Sequence, residues 1–134
     1  MRILHYVDVD LVLMCFSVNN PVSYENVTSK WDPEINYHIP NAKKILVGLK
    51  TDLRNDQEVI ETLAKIRESP YTFKSGIELA KNISALKYVE CSSLTGEGVY
   101  DVIKESISIF ASQNKGEMEI KGPKQNKKKV CLLN

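Results

Sequence analysis

The sequence predicts an α/β fold in which a parallel sheet of three strands is flanked by helices. Three short apolar runs carry this reading, residues 11–16 (LVLMCF), 44–48 (KILVG) and 87–91 (KYVEC). The first two are continuous rather than alternating, as strands covered on both faces are. Stretches of helical periodicity lie between and after the runs, and strands alternating with helices are the pattern of βαβ units.

Taken in order, residues 23–37 form a first helix, with Pro21 just before it and Pro40 just beyond. Residues 73–83 form another, with Ile77, Leu79, Ala80 and Ile83 apolar. Residues 99–113 form the last, in which Val99, Val102, Ile103, Ile107 and Phe110 fall on one face. Between the second strand and residue 70 the chain is polar. Val59, Ile60, Leu63, Ala64 and Ile66 make one amphipathic surface helix there. Periodicity stops after residue 114, and residues 114–134 read as a flexible basic tail that lacks the apolar surface to order itself.

A chain of 134 residues is expected to be one domain. The formal net charge of +1 gives no basic excess to attract nucleic acid. The lysines are nevertheless uneven: Lys121, Lys124, Lys127, Lys128 and Lys129 crowd the tail without an acid among them. Three cysteines, Cys15, Cys91 and Cys131, with no paired spacing argue for a reducing compartment and against a zinc site. Cys15 and Cys91 fall in strands and read as inert core thiols, Trp31 as a packing residue, and His5 and His38 as ordinary residues. The apolar run at 11–16 is too short for a signal peptide, and Asp8 and Asp10 precede it.

Two loops carry candidate chemistry. Gly48-Leu-Lys-Thr-Asp52 follows the second strand directly, where α/β folds bind ligands. A carboxylate there can accept two N–H bonds from the Watson–Crick edge of guanine, and Lys50 can lay its methylene stem over the base. Glu90-Cys-Ser-Ser-Leu-Thr95 follows the third strand. A hydroxyl there can orient Asp52 while a backbone N–H donates to the base oxygen. Each motif alone is equally well explained by turn chemistry; the pair, each after its own strand, is more specific.

These stretches together resemble the Rho/Rac branch of small GTPases. Residues 10–17 (DLVLMCFS) are similar to that family's fourth strand, and Trp31-Asp-Pro-Glu34 to its helix signature. Ile45-Leu-Val-Gly48 with Lys50 and Asp52 is similar to its base-specificity motif, and residues 90–95 to its ECSALT motif. Residues 55–68 stand where the Rho-type insert helix stands. The resemblance implies a partial P-loop NTPase (Ras-like) fold, with residues 1–113 as the C-terminal part of a Rho-type G domain. It implies that Lys50, Asp52, Ser92 and Ser93 contact or support guanine, that GTP and GDP with Mg²⁺ are the ligands, and that Rho-type regulators and effectors are partners.

Two departures qualify it. Leu49 stands where the family has Asn or Thr, which removes a brace for the nucleotide loops. The G-x-x-x-x-G-K-[ST] loop, the switch threonine, the DxxG element and the water-positioning glutamine are absent from the sequence. Phosphoryl transfer depends on those parts, so no catalytic residue is assigned and hydrolysis by this chain alone is not expected. The resemblance also places the missing strands beyond the first run, which would leave residues 11–16 as an apolar sheet edge.

The terminus Cys131-Leu-Leu-Asn134 fits C-a-a-X, with Cys131 as the prenylated residue. Lys127, Lys128 and Lys129 supply the second signal that a single lipid needs. The expected location is the cytoplasmic face of membranes, chiefly the plasma membrane, with a cytosolic pool. The competing readings are a nucleotide-free interaction or decoy module and a non-functional gene fragment.

Overall fold

The structure, a computed structural model, describes residues 2–114 and 129–133. The basic residues Lys121, Lys124, Lys127 and Lys128 lie outside the described residues. A turn of 3-10 helix, Arg2–Tyr6, leads into β1 (Val9–Ser17). Helix α1 (Pro21–Asn26) runs through a π-turn, Val27–Trp31, into α2 (Asp32–His38). Then come β2 (Lys43–Leu49), a 3-10 turn Thr51–Asn55, α3 (Gln57–Ala64), α4 (Phe73–Asn82), β3 (Lys87–Cys91) and α5 (Val99–Asn114). The last element is a fourth strand, β4 (Lys129–Leu133).

The mixed α/β architecture with a parallel sheet agrees with the expectation, but the sheet has four strands, ordered β3-β2-β1-β4. All the pairings are parallel. Alternate side chains of β1 point to opposite faces. Val12, Met14 and Phe16 join Trp31, Ile35, Leu46, Leu79 and Ile83 beneath α1, α2 and α4. Leu11 and Cys15 join Ile45, Val47 and Cys91 on the other face, against Val99, Val102, Ile109 and Phe110 of α5. Burial on both faces is the physical reason that these runs are continuously apolar. Burial also pushes the Cys15 thiol up to about 12, and raises that of Cys91, as befits inert core thiols.

One expected element is present with an added detail, and one expectation is corrected. The helix read over residues 23–37 is one continuous helical stretch, yet it carries the π-turn. Pro33 has no N–H to offer the carbonyl of Ser29, and the Asp32 N–H bonds the Val27 carbonyl five residues back. The hydroxyls of Thr28 and Ser29 both donate to the Glu25 carbonyl, at 3.2 and 2.8 Å. Trp31 is 7% exposed, with the Arg2 guanidinium 4.8 Å from its ring centroid.

The correction concerns the tail. Residues 129–133 are a strand, not flexible chain, and β1 is not an edge. Beyond the bulge between Val9 and Leu11, Val130 pairs with Leu11, Cys131 with Val12, Leu132 with Leu13 and Leu133 with Met14. The segment is short, but its alternation puts Leu133, 4% exposed, into the core while Leu132 stays outside.

Candidate functional site

Both candidate loops emerge at the carboxyl ends of neighbouring strands, because β2 and β3 pair in parallel with Leu49 opposite Cys91. After β2 the chain must turn at once. Lys50 adopts the left-handed conformation, φ 60° and ψ 42°, and the Leu53 N–H bonds back to the Lys50 carbonyl at 2.9 Å. A left-handed residue other than glycine costs about 1–2 kcal/mol, and such strain gathers where geometry serves a site. The turn delivers Asp52, half-buried, beneath the exposed Lys50.

Ser92 is fully buried. Its hydroxyl donates to Asp52 Oδ1 at 2.5 Å and accepts from the Thr95 N–H at 3.2 Å. The Ser92 N–H donates to the Glu97 carbonyl at 2.9 Å, and the Gly96 N–H to the Ser92 carbonyl at 2.8 Å. The loop closes on itself at Gly98, where φ is +73° and a Cβ would lie 2.0 Å from the Glu90 carbonyl oxygen. Ser93 is exposed and makes no hydrogen bond to Asp52. Asp52 and Ser92 are thus joined directly, while Lys50 and Ser93 stand exposed at the rim. Leu49 packs against the α5-side core.

A second layer holds the two loops in register, and the sequence reading missed it. Arg54 directs a fork at Glu90, with Nη1 donating to Oε2 at 2.9 Å and Nη2 to Oε1 at 2.5 Å. Arg54 Nε donates to the Tyr71 carbonyl at 2.9 Å, and the Tyr88 hydroxyl donates to Glu90 Oε1 at 2.7 Å. Burial pushes the Glu90 carboxyl up, but the hydrogen bonds from Arg54 and Tyr88 outweigh it, so the group is held below its ordinary value. Tyr88 reaches Glu90 only because residue 76 is glycine: a Cβ there would lie 2.0 Å from the Tyr88 ring. The sole sequence signal was symmetry, Arg54 lying two residues after Asp52 and Glu90 two before Ser92.

At the carboxyl end of β1, Asn19 Oδ1 is buried with no hydrogen-bond partner. A buried acceptor of this kind is uncommon and calls for a donor. Among the described residues no group of three or more His, Cys, Asp or Glu could hold a metal ion. A cleft of about 590 Å³ lies at the opposite, amino end of β2, lined by Asp32, Asn36, Lys44, Asn82 and Ser84 among others. Its buried cation is already satisfied, since Lys44 Nζ donates to Asp32 at 2.7 Å and to Asn36 at 3.0 Å.

An α/β domain with a carboxylate braced at the carboxyl ends of parallel strands belongs to the nucleotide-binding class of folds. The sequence matches the family model described as Ras family over residues 1–111. The chain belongs to the Ras family and is a small GTPase-like protein. The match ends inside α5, so β4 and Cys131 lie outside it. The family's ligands are in general GTP and GDP with Mg²⁺. The Asp52 end fits the guanine part of such a ligand: among the described residues Ser92 bonds Oδ1 and nothing bonds Oδ2. Among the described residues no carboxylate cluster offers Mg²⁺ a site.

Proposed function

We propose that this chain is a Rho-type guanine-nucleotide-binding protein whose residues read the base and which is held to membranes through Cys131. The observation that carries the reading is the Ser92–Asp52 hydrogen bond across the carboxyl ends of β3 and β2. Ser92 fixes the rotamer of Asp52, so that the carboxylate is set to accept the N1–H and exocyclic amine of guanine. Adenine offers no such donor pair. Lys50 covers one face of the base with its stem. The loop containing Ser93 supplies backbone N–H groups for the base oxygen.

The Rho subtype is supported by the position of α3, an extra helix inserted between the Asp52 loop and α4. Hydrolysis is not assigned to this chain, because the residues that position phosphates and water are absent from it. Membrane attachment rests on the C-a-a-X terminus and on Lys127, Lys128 and Lys129. A nucleotide-free interaction module is the second reading. It is favoured by β4, which covers the side of β1 with the chain's own residues.

Titration of the ¹⁵N-labelled chain with GDP and with ADP separates the two readings. Selective shifts of the Lys50, Asp52, Ser92 and Ser93 amides by GDP are expected. Identical responses to both nucleotides, or none, would leave the interaction module.

A further inference from the structure

We infer that β4 is a cap that withholds Cys131 from lipid transfer, so that sheet closure and membrane anchoring are alternative states of one segment. The inference rests on the C-a-a-X reading above. Its physical basis is that β4 and the motif are the same residues. Cys131 is paired with Val12 in the ladder, and Leu133, two residues on, is paired with Met14. Residues two apart in a strand share a face. Leu133 is accordingly 4% exposed in the core under α1 and α2, and Cys131 packs against that same core. The far side of β4 faces outward, with Val130 46% and Leu132 67% exposed.

Lipid transfer demands the reverse arrangement. The Cys131 thiolate must reach the first carbon of a prenyl diphosphate. The sulfur–carbon bond forms, the carbon–oxygen bond to diphosphate breaks with its electron pair, and the thiol proton passes to solvent. The transferase must also hold Leu132 and Leu133 as free chain. A docked β4 denies it Leu133 and the backbone of the ladder. The thiol is disfavoured as well: burial and the nearby Glu34 charge raise it above its ordinary value, and the thiolate is the reactive form. Cys131 is half-buried at the margin of that core, and an isoprenoid attached there would displace the neighbours it packs against. Lipid attachment and docking of β4 on β1 therefore exclude one another.

The test compares Cys131 in three settings: the full chain, the full chain with Lys129→Pro and Val130→Pro, and residues 121–134 fused to a fluorescent protein. Consecutive N–H groups of an edge strand alternate in direction, so the double substitution removes one that faces β1 and leaves the C-a-a-X residues unchanged. Two rates are read by mass spectrometry: alkylation by a maleimide, and lipid transfer by a purified prenyltransferase with its prenyl diphosphate. Cys15 and Cys91, both buried, report any general opening. The cap predicts that both rates at Cys131 are at least tenfold slower in the full chain than in the fusion. It also predicts that the double substitution restores them while Cys15 and Cys91 stay slow. Equal rates in full chain and fusion would overturn the cap and leave the lipid anchor standing. A fusion that is alkylated but never lipidated would overturn the anchor reading, and the exclusion with it. A full-chain rate that rises on dilution would show the strand coming from a second copy, contradicting closure within one chain.

Discussion

Arg54→Met removes the fork that ties the Asp52 loop to the strand before Ser92, and its cost follows from the burial of the pair. The Arg54 and Glu90 side chains are 25% and 16% exposed. An exposed ion pair contributes about 0–1 kcal/mol, whereas removing one partner of a fully buried pair costs about 3–5 kcal/mol. Here Glu90 keeps its hydrogen bond from Tyr88, and the Tyr71 carbonyl loses the Arg54 donor. The expected loss is therefore about 2 kcal/mol, equivalent to a fall in Tm of roughly 6–10 °C for a chain of this size. Urea unfolding followed by the fluorescence of Trp31, the one tryptophan in the sequence, measures it. The loss should also be pH-dependent. Glu90 is held below its ordinary value in the fold, so its contribution is present above the unfolded carboxylate range. It fades as pH falls through the folded value. The gap between wild type and Arg54→Met should thus narrow in acid. A midpoint within about 0.5 kcal/mol of wild type at neutral pH, the ordinary scatter of surface changes, would refute the reasoning.

Gly98→Ala should destabilise by about 2–4 kcal/mol, because it adds a clash to left-handed strain. Gly96→Ala, at φ +80° with open space around it, should cost only about 1 kcal/mol. Equal losses in urea would mean that the contact with the Glu90 carbonyl is unimportant. The Glu34 carboxyl, held at about 2 by hydrogen bonds from Arg2 and Tyr6, should titrate closer to 4.5 in Arg2→Ala. Its contribution is complete above the unfolded value and is lost as pH drops toward 2; carboxyl NMR reads the shift. Cys131→Ser should move the protein wholly to the soluble fraction of cells. Replacing Lys127, Lys128 and Lys129 by Gln should leave it lipidated but loosely held, since each lysine near an anionic leaflet contributes about 1 kcal/mol. A Cys131→Ser protein that still pellets with membranes would contradict the anchor.

The first two expected strands were legible because residues 11–16 of β1 and 45–47 of β2 are apolar toward both faces of the sheet, which leaves an unbroken run in the sequence. The ends were less so: β1 extends to Val9 and Ser17, where polar neighbours hide the ladder. The π-turn needed the hydrogen-bond count around Pro33, which periodicity does not register. β4 was illegible for a different reason. A run as short as Val130–Leu133 has no period of its own, and its partner lies more than a hundred residues away. Its meaning as a strand exists only in the folded sheet. At the site, Asp52 and Ser92 were legible because each follows its own strand, and parallel pairing brings such loops together. The brace from Arg54 through Glu90 to Tyr88 was not, because charges 36 residues apart carry no local signal.

The measurement that bears most directly on base reading is the nucleotide preference of Asp52→Asn. Aspartate accepts both guanine donors, whereas asparagine turns one N–H₂ toward the base. It loses the exocyclic amine of guanine and gains the C2 carbonyl of xanthine. An unmatched polar group of this kind costs about 1–3 kcal/mol, which is roughly a 5- to 150-fold change in relative affinity. In NMR titrations with GDP and xanthosine diphosphate, the wild-type chain should favour GDP and Asp52→Asn should favour the xanthine nucleotide. An unchanged preference for GDP in Asp52→Asn would contradict the account and reduce Asp52 to a turn residue.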